Sequence, residues 1–149
     1  MIELQRASHC GYKIRYHMVM CLKYRKKLMY PKDRIQFLKN ILFEIKERYC
    51  FEFETIGTDG DHAHIFVGAA PKYAPSRIMQ IIKSITAREL FEKYPEIKEV
   101  LWGGEFWSDG GYIGTVGEGI TGDIIRAYIE KHGTPEEKED HKQMQLLDF

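Results

Sequence analysis

With 149 residues, 17.5 kDa, 44% hydrophobic and 13% aromatic residues, the chain has the size and composition of one domain with a real core, which excludes wholesale disorder. No apolar run nears the roughly 18 residues of a membrane span. The start, Met1-Ile2-Glu3-Leu4-Gln5-Arg6, lacks a signal-peptide core, so a cytoplasmic location with no membrane partner is expected. Residues 1–50 hold 12 Lys/Arg against 4 Asp/Glu (+8) and residues 51–149 hold 10 against 18 (−8), so the zero net charge leaves room for a polyanion partner beside ordinary solvated surfaces.

The first periodic segment is 12–25. Tyr12, Ile14, Tyr16, Met18, Met20 and Leu22 alternate with Lys13, Arg15, His17, Val19, Cys21 and Lys23, which predicts one long strand with a core face and a basic face. Pro31, with Asp33 as the N-cap, opens a helix to about Tyr49 with an apolar stripe of Ile35, Leu38, Ile41, Leu42 and Ile45. Phe51–Thr58 reads as a second strand and His62–Ala69 as a third, joined in an antiparallel hairpin by Asp59-Gly60-Asp61. Pro75 and Ser76 open a second helix to about Tyr94, which Pro95 closes. Tyr112–Val116 follows as a fourth strand, and Thr121 caps a last helix, Gly122–His132, with Gly133 just past its end. The order implies an α+β, ferredoxin-like (split βαβ) fold, an antiparallel sheet with helices on one face and the other open. Residues 133–149 read as a charged, mobile tail.

Cys10, Cys21 and Cys50 are odd in number and lack CxxC spacing, which fits reduced thiols. The sharpest chemical feature is His62-Ala63-His64. Positions i and i+2 of a strand share a face, so two imidazoles lie side by side on the open face, a pairing that suits one divalent ion. Tyr128 and His132, four apart, share one face of the last helix. Together the pairs would make a three-histidine site with a phenol close by. His17 is a rival third ligand and Tyr112 a rival nucleophile. Each also has a purely structural reading: exposed hairpin histidines, an amphipathic tyrosine, and a helix-terminal histidine favoured by the dipole.

These residues resemble a known pattern. Asp61-His62-Ala63-His64-Ile65-Phe66-Val67 is similar to the HUH motif of single-strand-specific nucleases. Four further segments, in order, resemble the HUH single-tyrosine transposases of insertion sequences that move as single-stranded DNA. They are 16–27; Pro71–Ser76 with Ile82-Lys83-Ser84; Leu101-Trp102 with Phe106-Trp107 and 112–117; and Ile125–Glu130. The resemblance implies a catalytic domain over 1–132 and Tyr128 as nucleophile. His62, His64 and His132 would hold Mg²⁺ or Mn²⁺, and a homodimer would share its active sites between subunits. The family usually has glutamine where His132 stands, and an imidazole there shifts preference toward Mn²⁺ and other transition metals.

The implied activity is metal-dependent cleavage and rejoining of single-stranded DNA with hairpin ends, by transesterification through a 5′-phosphotyrosine. Lys13, Arg15, Lys23, Arg25, Lys26 and Lys27, with Arg77 and Lys83, are the candidate DNA-binding residues. Trp102, Phe106 and Trp107 suit either base stacking or packing between subunits. Two other readings stay open: a non-catalytic single-stranded DNA- or RNA-binding ferredoxin-like module, and a host-adapted HUH nuclease acting on repeat hairpins. The chain's last residues, Gln145-Leu146-Leu147-Asp148-Phe149, resemble peptides that bind a replication sliding clamp, a further expected partner.

Overall fold

A computed structural model describes residues 4–7, 10–102 and 104–116. Tyr128, His132, the last helix expected over 122–132 and the tail with its clamp-like peptide lie outside the described residues, as does His9.

The strand expected over 12–25 is broken after Tyr12, and a short strand not expected from the sequence precedes it. Strands β1 (Gln5–Ala7) and β2 (Cys10–Tyr12) pair with each other antiparallel. The chain then leaves that ribbon, and β3 (Arg15–Cys21) joins a four-stranded sheet. The ladder with β5 runs out at Cys21, opposite His62; Leu22 is still extended, and Tyr24 (φ 60°) and Arg25 (φ 53°) then turn into the left-handed region within a short 3₁₀ turn, Lys23–Arg25.

Helix α1 (Lys32–Tyr49) follows, with Pro31 rather than Asp33 at the capping position. The Pro31 carbonyl accepts from the amides of Arg34 and Ile35 at 3.1 and 3.2 Å. Asp33 instead sits in the first turn, where the helix dipole favours a carboxylate, and accepts a hydrogen bond from the Tyr94 hydroxyl at 3.0 Å. The helix ends where Cys50 adopts φ 58°.

Strands β4 (Glu52–Thr58) and β5 (His62–Gly68) form the expected hairpin. Gly60 is required at its turn: its φ is +101°, and a Cβ there would lie 2.6 Å from the Tyr30 ring. Helix α2 (Pro75–Lys93) is as expected, but Pro95 begins a further short helix, α3 (Pro95–Val100). Proline fits the first helical position, where no amide partner is needed. Gly111, at φ +146°, lets the chain pass within contact of the Val19 carbonyl before β6 (Tyr112–Thr115).

The sheet order is β4-β5-β3-β6, antiparallel throughout. This is the split βαβ arrangement of an α+β fold. One sheet face carries Met18, Met20, Ala63, Ile65 and Val67 into a core with Leu38, Ile41, Leu42 and Ile45 of α1 and Ile78, Ile81, Ile82 and Leu90 of α2. Ile35 and Ile85 lie only half-buried. By alternation the opposite face receives Arg15, His17, Val19 and Cys21 of β3 and His62, His64 and Phe66 of β5. Among the described residues no helix is long and apolar enough to cross a membrane.

Candidate functional site

The register of β3 against β5 builds the site. It sets Cys21 opposite His62, Val19 opposite His64 and His17 opposite Phe66, so three histidines converge on one face. The expected open surface is closed at this point, for His62 is 4% and His64 0% exposed. A buried imidazole needs partners for both nitrogens. His64 Nδ1 lies 2.8 Å from His17 Nε2. His62 Nδ1 lies 2.5 Å from Asp61 Oδ1 and 2.6 Å from Asp59 Oδ1. The rings of His62 and His64 meet edge to face with centroids 5.1 Å apart.

His17 sits at the centre of an aromatic ladder. Its ring stacks on Phe66 at 4.6 Å and on His64 at 5.1 Å, and meets Tyr112 edge-on at 5.6 Å. The rival third ligand thus packs between its neighbours and hydrogen-bonds to His64. Tyr112, the rival nucleophile, is half-buried against His17. Among the described residues, Asp59, Asp61 and His62 form a group able to hold a metal ion, with ligating atoms within 4.8 Å of one another. The two carboxylates were not among the ligands expected from the sequence, because Asp59-Gly60-Asp61 reads first as a turn. The adjacency of Asp61 to His62 was the available signal.

A guanidinium extends this network outward. Arg25 Nε is 3.3 Å from Asp61 Oδ2, the other oxygen of the carboxylate that meets His62. Arg25 also reaches Cys21 Sγ at 3.4 Å. Burial pushes the Cys21 thiol above its usual range, and the Arg25 charge pulls the other way.

The candidate DNA-binding cations separate into groups. Lys13, Arg25, Lys26, Lys27 and Arg77 are exposed. Arg15 is half-buried and paired with Glu54 at 3.4 Å, and Lys23 lies 3.5 Å from Glu105. Lys83 points inward: its ammonium donates to the carbonyls of Ser108 (3.0 Å) and Gly110, and burial lowers its pKa. It lines a cleft of about 600 Å³ with Met79, Trp107 and Ile113. The candidate stacking residues separate as well. Phe106 and Trp107 are buried, and Trp107 Nε1 donates to Thr86 Oγ1 at 2.9 Å, whereas Trp102 faces solvent.

Comparison with known proteins agrees with this architecture. The family described as "Transposase IS200 like" matches residues 10–132. The chain is 33% identical over 129 residues to the ISDra2 transposase TnpA of Deinococcus radiodurans, covering 87% of this chain and 91% of that one. It is 30% identical over 133 residues to the transposase for insertion sequence element IS200 of Salmonella typhimurium, covering 88% and 84%. A solved transposase structure from Deinococcus radiodurans superposes with a TM-score of 0.69 at 28% identity, over 86% of this chain and 97% of that one. A REP-associated tyrosine transposase bound to a REP hairpin shares the fold alone, with a TM-score of 0.53 at 18% identity over 89% and 75% of the two chains. The paired histidines therefore lie in a chain that belongs to the IS200-like transposase family.

Proposed function

We propose that this chain is a metal-dependent transposase that cuts and rejoins single-stranded DNA through a 5′-phosphotyrosine on Tyr128. The observation that carries the reading is the pair of buried imidazoles, His62 and His64, each held through Nδ1 by a partner. Metal-binding histidines are oriented in this way, with one nitrogen engaged by a carboxylate or similar group so that the other is aimed at the ion. Of Mg²⁺ and Mn²⁺, the donor chemistry suits Mn²⁺ better, because His62, His64 and His132 would offer three imidazole nitrogens, with Asp59 and Asp61 behind His62. When bound, such an ion supplies Lewis-acid polarisation of the scissile phosphate.

The remaining steps belong to the chain. The Tyr128 oxygen attacks phosphorus and the 3′-oxygen leaves, so one phosphodiester is exchanged for another and no nucleotide cofactor is required. A second 3′-hydroxyl reverses the step and joins new strands. Exposed Lys26, Lys27 and Lys13 contact phosphates in a salt-dependent way. A hairpin at the DNA end is the proposed partner; the fold neighbour named above is bound to one. We assign a homodimer that shares its sites. Mixing Tyr128→Phe with His64→Ala subunits then restores cleavage in heterodimers.

Incubation with end-labelled single-stranded DNA and Mn²⁺ tests the reading directly. A covalent protein–DNA adduct forms with the native chain and is absent from Tyr128→Phe. An adduct that persists at the native rate in that variant removes Tyr128 as the nucleophile.

A further inference from the structure

Four described residues other than glycine have positive φ: Tyr24 (60°), Arg25 (53°), Cys50 (58°) and Trp102 (55°). Cys50 is explained as a helix terminus. Trp102 likewise follows a helix end, one residue past the C-cap Leu101 of α3, whereas Tyr24 and Arg25 are strained inside a 3₁₀ turn; all three meet at one corner. Helix capping does not account for Tyr24 and Arg25, and the strain there holds aromatic surface outward. Trp102 is 81% and Tyr24 54% exposed, with ring centroids 5.5 Å apart and a tilt of 54°.

The backbone beneath these rings is pinned. The Trp102 amide donates to the Glu99 carbonyl, the Arg25 amide to Leu22, and the Lys23 amide to Phe106, which ties the 3₁₀ turn to the segment after α3. Around the rings the charge is mainly positive. Lys23 lies 5.8 Å over the Tyr24 ring as well as near Glu105, and Arg25, Lys26 and Lys27 are exposed on the same turn. Exposed aromatic faces beside cations are how proteins bind unpaired nucleotides, with rings taking bases and cations taking phosphates.

We propose that Tyr24 and Trp102 form a stacking platform for one unpaired base of single-stranded DNA, resting on the transposase reading above for the identity of the polymer. The two rings brace each other, and the base lies on the outer face of the Trp102 indole. Arg25, the residue after Tyr24, reaches Asp61, which in turn meets His62. A stacked base thus sits at the outer end of the contact chain leading to the paired histidines, where it would fix the strand's path toward them.

The test uses the full chain and short oligo(dT), with a duplex of equal length as control. The chain has two tryptophans, and Trp107 is 4% exposed, so quenching on binding reports Trp102. Oligo(dT) is expected to quench the emission and the duplex is not. Both variants at this position lack the reporting indole and are read by anisotropy: Trp102→Ala weakens oligo(dT) binding about 5- to 100-fold, while Trp102→Phe retains most of the affinity. The exposed position makes an unchanged melting transition the expected control. Oligo(dT) binding of native strength in Trp102→Ala, or equal quenching by duplex, overturns the proposal. So does a change confined to self-association, which would mark the pair as a subunit contact. Adduct formation on Tyr128 with no Trp102 quench ends the platform and spares the transposase reading; quench with no adduct does the reverse.

Discussion

On one face of the β3–β5 pair, Met18 lies opposite Ile65 and Met20 opposite Ala63; on the other, His17 lies opposite Phe66 and Val19 opposite His64. The helix-covered face works by area and shape, so it tolerates apolar exchanges of similar volume. The histidine face works by direction. His64 Nδ1 meets His17 Nε2 and His62 Nδ1 meets Asp61, so each ring's orientation depends on a particular partner. A register slip of one residue would exchange the two sets, which is why the core also protects the site.

That contrast breaks most sharply at adjacent positions of β5. Under the proposed function, His64→Ala abolishes the DNA adduct in Mn²⁺ while the protein still melts cooperatively; a native adduct yield would remove His64 from the chemistry. Ile65→Ala does the opposite. Loss of its buried side chain lowers unfolding free energy by about 2–5 kcal/mol in urea titration. A loss within about 0.5 kcal/mol, as at a surface site, would contradict the assignment of that face to the core.

Two smaller effects sharpen the comparison. Asp61→Ala removes one of the two carboxylates against His62 and weakens Mn²⁺ binding roughly 10- to 100-fold in calorimetric titration. Unchanged affinity in the folded variant would separate the carboxylate from the ion. At the periphery, Lys26→Ala and Lys27→Ala each reduce the slope of log affinity against log salt for single-stranded DNA by up to about 1. An unaltered slope places them off the phosphate path.

Where one period dominates, the sequence was readable. Met18 and Met20 against His17 and Val19 announced the two faces of β3, and His62-Ala63-His64-Ile65 announced those of β5. The stripe of Leu38, Ile41, Leu42 and Ile45 did the same for α1. What escaped depends on long-range partners or single backbone angles. Tyr12 and Arg15 share one alternating pattern, yet their strands pair with different neighbours. Tyr24 and Arg25 redirect the chain after the strand through positive φ. His17 and Asp61 were visible as candidates for other roles, but their contacts with His64 and His62 require the register and the turn. Trp102 and Trp107 are five positions apart, and only the fold sends one to solvent and the other to Thr86.

The bond from His17 to His64 joins residues 47 apart in the chain. At about 5–20 residues per second of synthesis, β3 leaves the ribosome several seconds before β5 exists to pair with it. During that interval its polar edge is an open template for another nascent strand. The cluster Lys23, Arg25, Lys26 and Lys27 directly follows this strand. Charges flanking an apolar strand oppose its stacking with copies of itself. Placed there, the basic turn works against a half-made sheet finding the wrong partner.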